Sequence, residues 1–538
     1  MHEKTYTSDR KMKIAIILES HFCSRDVVDF IEWAQKQPEL QVSALIIQEK
    51  PSSDFIMRSF IQKAAARIER LLFYTHLKGK VSFDSYNISD YVETLVLASD
   101  YQQSMLISNQ QDGAKIRPHD LDYGIKLNPG PVHTPLLNIF NHGLIDISYS
   151  GAITTALSPP GFWQVYKKLD KTDFFIRKYK KYQENTEILF KGSVATRFLF
   201  LLNQNNIYKL SLFYMRDVVM RLANGHAPHH SSNKACSAIA ADSVPHVWHY
   251  AFYVLYLVRI LIKKILNRLF FRQKLSWNVA FEHKNWKDAA IRAPTVIKNP
   301  PGHFLADPFV VEHEGQTVCF VEDYDYATSR GFIAAYALDG TNFSEIGPVI
   351  KEDFHMSYPY TFKYDSKIYM IPETSENKDI RLYVCEQFPG QWKFVKKLMS
   401  NISTADTTVF EKDGLWWLFT NTDPLGLGDH CFELNIFYAD NPLADTWTPH
   451  AQNPILCDSM KGRMGGILYD GNSIIRVSQQ QGFDLYGKSY NYNKIIELTS
   501  QSYKEETLPE SSIIRPENAV AMHHCNSNGF YTVYDFIR

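Results

Sequence analysis

Five stretches of the C-terminal half decide the fold: ADPFVVEHEGQTVCFVED (306–323), YPYTFKYDSKIYMIPET (358–374), ADTTVFEKDGLWWLFTN (405–421), GRMGGILYDGNSIIRVSQ (462–479) and AVAMHHCNSNGFYTVYDF (519–536). Each reads as a strand, a tight turn and a second strand, with the turns at Gly315, Asp365-Ser366, Gly414, Gly471 and Gly529. The first four turns lie about 50 residues apart. Hairpins repeated at that period predict a five-bladed all-β propeller over 276–538, because radial repetition leaves only short, protected sheet edges. The last hairpin ends the chain, so its blade needs outer strands from elsewhere. Ser276 to Phe281 and Arg292 to Lys298 are expected to supply them and close the ring.

Ahead of the propeller the texture changes. KIAIILE, Val27 to Gln35 and QVSALIIQ read as strand, helix and strand, the opening of an α/β domain assigned to 12–222. A connector follows over 223–275. Its first part, Asn224 to Ser243, holds Gly225, Pro228, four serines, His226, His229 and His230, and reads as a solvated linker because no acid or cysteine pattern completes a metal site. Its second part is free of acids from Ser243 to Phe281, while Arg259, Lys263, Lys264, Arg268, Arg272 and Lys274 interleave with Leu, Ile and Phe. Such a helix either lies on anionic lipid, with Lys263, Lys264 and Arg268 as membrane contacts, or packs its apolar stripe on a neighbouring domain.

The 538 residues fit a multidomain chain. With 57 Lys+Arg against 58 Asp+Glu and 14% aromatic residues, a disordered chain and a strongly basic nucleic-acid binder are excluded. Cys23, Cys236, Cys319, Cys385, Cys431, Cys457 and Cys525 show no CxxC spacing, so neither a disulfide framework nor a zinc ribbon is expected, and a reducing compartment is the simpler reading. The polar start MHEKTYTSDRKMK lacks the apolar core of a secretory signal, and the apolar run Ala251 to Val258 is far short of the ~20 residues that span a bilayer. A cytoplasmic protein is expected, with attachment at the inner face of the membrane as its extension.

Antiparallel partners return the chain to its origin, so the start of each first strand and the end of each second strand share a rim. That places Asp307 beside Glu322 and Tyr358 beside Glu373, with Asp406 and Arg463 at the positions equivalent to Asp307 and Gln479 near the end of its partner strand. Four carboxylates from three blades would then converge. Glycosidic-bond chemistry needs such a set, one carboxylic acid for the leaving oxygen and one carboxylate for the nucleophile, with like charges separating the pKa values. The alternative is that the acids cap turns or pair with Arg330, Arg381 or Arg463. Tyr358, Trp416 and Tyr486 are candidate sugar-stacking residues. Six of the nine tryptophans lie between Trp277 and Trp447, which directs the search for stacking platforms to the propeller.

The motifs ADPF, HMSYPYTF, YMIPETS, LYVCEQFPGQW, DTTVFEKDGLWWLFT, TWTPHAQNPI and YGKSYNYNKI, spread over 276–505, resemble the N-terminal propeller domain of plant glucosamine inositolphosphorylceramide transferases and its bacterial relatives. That domain is in turn similar to the propellers of glycoside hydrolase family 43, whose inverting mechanism uses three acids from different blades. The resemblance implies Asp307 as general base and Glu373 or Asp406 as general acid. Blade two departs from the pattern, carrying Tyr358 where an inner acid is expected. In the plant proteins sugar transfer is attributed to a separate domain that this chain lacks.

Residues 12 to about 222 resemble a methionyl-tRNA formyltransferase-type, Rossmann-like fold, through PPGFW at Pro159 to Trp163 and the trailing ENTEILF. The family's Asn, His and Asp fall on Asp146, Ser148 and Glu184, all three changed. A serine hydroxyl does not transfer protons as an imidazole does near neutral pH, so formyl transfer is not expected.

These readings predict a carbohydrate-active protein of cell-surface glycan biosynthesis that binds or processes a sugar or sugar-lipid intermediate. Asp307, Glu322, Glu373 and Asp406 are the candidate catalytic residues. Tyr358, Arg463, Gln479, Tyr486 and Trp416 are the candidate binding residues, with Arg463 for a substrate phosphate or carboxylate. No cofactor, metal or nucleic acid is expected, and other glycan-assembly enzymes are candidate partners. The rival expectations are a non-catalytic glycan-recognition scaffold and an acyl or formyl transferase acting on an amino sugar.

Overall fold

The computed structural model describes residues 11–18, 20–48, 53–82, 84–88, 95–97, 121–127, 137, 139–149, 158–180, 186–226, 244–271, 276–289, 294–509, 516 and 518–538. The chain divides into two compact units, Met1–Arg272 and Gln273–Arg538.

The first unit is built on a seven-stranded sheet. Across it lie Leu95–Leu97, Leu40–Gln48, Met12–Leu18, Tyr123–Lys126 and Leu144–Ser148, all parallel, and then the antiparallel strands Lys171–Tyr179 and Thr186–Ala195. The Met12–Leu18 strand, MKIAIIL, is buried almost throughout, as a parallel strand covered on both faces must be. Asp146 lies in this sheet, opposite Lys126 on one side and Arg177 on the other, and all three are buried. Ser148 ends the same strand. Glu184 lies outside the described residues, as does the linker over 227–243.

The second unit is a ring of five blades. Four of them are consecutive antiparallel sheets beginning at His303, Ser357, Thr404 and Met464. The fifth is assembled from both ends of the unit: Cys525–Ser527 and Thr532–Phe536 form its inner hairpin, and Asn278–Glu282 and Thr295–Ile297 add its outer strands. The expected closure is therefore the observed one.

Each blade lies between two others, so both faces of its strands are buried and its alternation sorts residues into two different cores. In blade one, Cys319 and Val321 pack with Val279, Phe281 and Val533 of blade five. The intervening Val318 and Phe320 pack with Ile368 and Met370 of blade two. In blade three, Trp416 joins Tyr369 and Ile371 of blade two, whereas Trp417 joins Ile467 and Ile474 of blade four. A fifth core holds Ile475 and Val477 of blade four with Ala280 and Tyr534 of blade five. Five inter-blade cores for five blades close the ring, and the unbroken apolar runs such as VCFV are its sequence signature.

Candidate functional site

The inner strands of four blades carry the same irregularity near their starts. The ladder slips between Ala306 and Phe309, Ser357 and Tyr360, Ala405 and Thr408, and Met464 and Ile467. Within the slips, Asp307 (φ 50°), Tyr358 (φ 46°) and Asp406 (φ 51°) are left-handed, and Gly466 (φ 120°) takes a positive φ in blade four. A non-glycine residue held there costs roughly 1–2 kcal/mol, and a bulge re-aims side chains toward a rim. Three such residues at equivalent positions are a built feature of this mouth.

Asp307 is held by donors on both oxygens. His523 Nε2 lies 3.0 Å from Oδ1, and the Tyr358 backbone N–H donates to Oδ2 at 3.3 Å. Asp535, from the last strand, holds the other side of the imidazole, with His523 Nδ1 3.1 Å from its Oδ1. Asp535 also accepts the backbone N–H groups of Asp307, His523 and His524 at 3.1, 3.2 and 3.1 Å. Burial disfavours the imidazolium, but the flanking carboxylates of Asp535 and Asp307 outweigh it and push His523 up to about 10. Burial likewise opposes ionisation of Asp307, yet the His523 hydrogen bond and charge hold its carboxyl below the usual range. Ligand atoms of Asp307, His523 and Asp535 lie within 4.8 Å of one another, the spacing of a metal site. A protonated imidazole between two carboxylates supplies the positive charge that a cation would bring.

A second cluster adjoins the first. Arg463 grips Asp406 through Nε (2.6 Å to Oδ2) and NH2 (3.2 Å to Oδ1), and its NH2 also reaches Glu373 Oε2 at 3.5 Å. Gln479 Nε2 donates to Asp406 Oδ2 at 2.9 Å and to the Met464 carbonyl at 2.8 Å. Burial pushes Asp406 up to about 7 against the pull of Arg463, with Glu373 and Asp307 adding to the rise. Glu322 faces Asp307 from the neighbouring strand, where its register partner is Ala306. Burial, reinforced by the charges of Asp307 and Glu373, raises its carboxyl well above the usual range. His355 Nε2 lies 3.6 Å from Glu322 Oε1, while its Nδ1 accepts the Gly331 N–H at 2.8 Å. Gly331 is obligatory here, since a Cβ would sit 2.7 Å from Glu322 Oε1 and 2.6 Å from the Met356 carbonyl oxygen.

Tyr486 gives the mouth an aromatic wall. It is 39% exposed, its ring lies 5.2 Å from the Arg463 guanidinium and 5.1 Å from His523, and Trp277 packs on His523 at 4.1 Å. The structure thus brings together Asp307, Glu322, Glu373, Asp406, Arg463, Gln479 and Tyr486.

Two expected binding residues are corrected. Tyr358 is fully buried in the core between blades two and three with its hydroxyl on Thr408 Oγ1 at 2.9 Å, so it offers the site only its backbone. Trp416 pairs with Glu411 beside the hairpin turn, at the other end of the blade, where it lines a separate cavity of ≈ 980 Å³ with Glu312, Lys363 and Tyr469. Arg463 is already matched by two carboxylates, which removes the reason to assign it a substrate anion. Sequence reasoning missed Trp277, His355, His523 and Asp535. His523 and Asp535 were visible within the fifth hairpin, but only ring closure brings them to Asp307.

Residues 290–523 match the family described as glucosamine inositolphosphorylceramide transferase 1, N-terminal. Two plant proteins named glucosamine inositolphosphorylceramide transferase 1 are similar. That of Oryza sativa subsp. japonica is 35% identical over 209 residues, 38% of this chain and 28% of the relative. That of Arabidopsis thaliana is 35% identical over 236 residues, 42% of this chain and 30% of the relative. The chain thus spans under a third of the length of these relatives. Among solved structures, a family 117 glycoside hydrolase of Zobellia galactanivorans aligns with TM-score 0.33 and 12% identity over 49% of this chain and 90% of its own. The catalytic domain of a Coprinopsis cinerea GH62 α-L-arabinofuranosidase aligns with TM-score 0.34 and 12% identity over 49% and 96%.

Proposed function

We propose that the acid-lined mouth of the propeller binds and processes a sugar or sugar-lipid intermediate of glycan or sphingolipid assembly. One observation carries the reading: Asp307 and Glu322 adjoin at the mouth and their environments drive their pKa values apart, the arrangement that gives one carboxyl group the base role and the other the acid role. Asp307 is the base. Glu322 is favoured as acid over Glu373 and Asp406, because burial and the neighbouring carboxylates raise its carboxyl while Asp406 is clamped as an acceptor by Arg463 and Gln479. Tyr486 and Trp277 would flank the sugar ring. The similarity of 290–523 to the plant transferases suggests an amino sugar linked to an inositol phosphate as the first ligand to try. The test is binding and turnover of such a glycoside by the full chain. Glu322→Gln should retain binding and lose turnover at least a hundredfold, while Asp307→Asn should lose both. Full turnover by both variants would reject the assignment.

A second reading, glycan recognition without catalysis, is favoured by the partners already on Asp307, each of whose oxygens accepts a hydrogen bond inside the protein. It predicts binding by the wild type, no turnover, and weaker binding for both variants. A formyltransferase-like first unit adds no reaction to either reading, since Asp146 is buried with Lys126 and Arg177 as its cross-strand neighbours and Ser148 replaces the imidazole.

A further inference from the structure

The Val247–Leu266 helix has two unlike faces. Tyr250, Tyr253 and Leu257 point into the first unit. Tyr253 is fixed there by its hydroxyl, which donates to Glu69 Oε2 at 3.0 Å and accepts the Phe200 N–H at 2.9 Å. On the opposite side, Trp248, Phe252, Leu255, Arg259, Ile262 and Leu266 follow one another at spacings of three and four, and Leu269 extends the stripe into the next turn. All seven are exposed, Trp248 by 73%, Phe252 by 58% and Leu269 by 65%. A soluble surface rarely carries so continuous an apolar row. The Ser53–Leu72 helix extends the patch with Phe60, 69% exposed, and Leu71, 80% exposed.

Among the described residues, the exposed charges on these two helices have one sign. Arg259 sits within the row, Lys263 and Arg268 flank it, and Lys63 and Arg67 are exposed on the Ser53–Leu72 helix. No acid occurs from Ser243 to Phe281. Glu69 on the partner helix is turned inward, buried, and spent on Tyr253 and on the Leu201 N–H at 2.9 Å. An apolar row with a purely cationic flank is complementary to a lipid surface that is apolar within and anionic outside. The same charges oppose a symmetric pairing of two copies through this face, which would set Arg259, Lys263 and Arg268 against themselves. Among the described residues no helix is long and apolar enough to cross a membrane.

We infer that the outer face of the Val247–Leu266 helix, with the adjoining Ser53–Leu72 helix, is an interfacial docking surface for anionic lipid. The helix lies in the plane of the headgroups, with Trp248, Phe252, Leu255, Ile262, Leu266 and Leu269 inserted and Arg259, Lys263 and Arg268 on the phosphates. The structure changes the role of one residue expected to touch lipid. Lys264 is turned back over Phe198 at 4.7 Å and Phe73 at 5.7 Å, so it belongs to the protein side.

The test is flotation of the full chain with vesicles of phosphatidylcholine alone or with about one third phosphatidylglycerol. Wild type should float with the anionic vesicles, and added salt should weaken this. Arg259→Gln with Lys263→Gln and Arg268→Gln should weaken it about a hundredfold, at roughly fivefold per charge. Trp248→Glu with Phe252→Glu should abolish it. Lys264→Gln should leave it within twofold. These positions are exposed, so melting temperatures should stay near wild type, which separates lost binding from lost folding. Absence of wild-type flotation, or unchanged flotation of the Trp248/Phe252 variant, would overturn the inference. So would a concentration-dependent dimer that this variant dissolves, since the face would then be an interface between copies.

Discussion

Both units bury charge in a sheet, and they do so differently. In the first unit Asp146, Lys126 and Arg177 are paired across regular strands, and no residue of the trio has a positive φ. In the propeller Asp307 and Asp406 sit on left-handed bulges beside an exposed tyrosine. The first arrangement is a closed ion cluster that completes a sheet. The second places its carboxylates on strained backbone at one rim of the ring. A buried charge alone is therefore poor evidence for a site, and strain beside an exposed aromatic ring is what marks the mouth.

The comparison can be broken most forcefully by unpairing the mouth. Arg463→Met would leave Asp406 and Glu373 facing each other without their cation and should cost about 3–5 kcal/mol in urea unfolding. A cost near zero would mean that the two carboxylates are not held by this arginine. Removing an inter-blade side chain should cost a similar amount, with Trp417→Ala expected at about 3–5 kcal/mol because the residue is fully buried between blades three and four.

Both units should lose stability as pH rises, but in different ranges. His523 is raised from 6.5 to about 10 in the folded state. Its contribution is fully present below pH 6.5 and is lost as pH rises through about 10. Asp307→Asn should move that loss to lower pH. Burial raises Asp146 from 3.8 to about 6, against the charges of Lys126 and Arg177. The folded state then binds the extra proton, so stability falls as pH rises between 3.8 and 6, and Asp146→Asn should flatten that limb. Urea titrations of the full chain at fixed pH values would check both limbs, the alkaline one being the larger.

What the sequence made legible follows the same division. The hairpin turns announced themselves because tight turns need left-handed residues, and Gly315 (φ 78°), Gly414 (φ 79°) and Gly471 (φ 55°) supply them. Antiparallel counting from the turns brings Asp307 and Glu322, and Tyr358 and Glu373, to one rim, but the ladder there pairs Glu322 with Ala306 and Glu373 with Ser357, one residue further along. Side-chain direction was lost beyond that point. The bulge adds a residue to each inner strand and breaks the alternation there, so the parity counted from the turn misplaces Tyr358. Trp416 and Trp417 are neighbours on one strand, and a blade packed on both faces buries both. His523 and Asp535 could not be paired with Asp307 by counting, since their partner lies more than two hundred residues earlier and only the closure of blade five brings them together.

The sugar is assigned to the acid-lined rim rather than to the cavity at the hairpin-turn end of the ring. Saturation-transfer NMR on the full chain with a glucosaminyl inositol phosphate tests this through Tyr486→Ala at the acid-lined mouth and Tyr469→Ala in the cavity at the hairpin turns. Binding should be about tenfold weaker for Tyr486→Ala and unchanged for Tyr469→Ala. The reverse pattern would contradict it and would move the site to the opposite end of the ring.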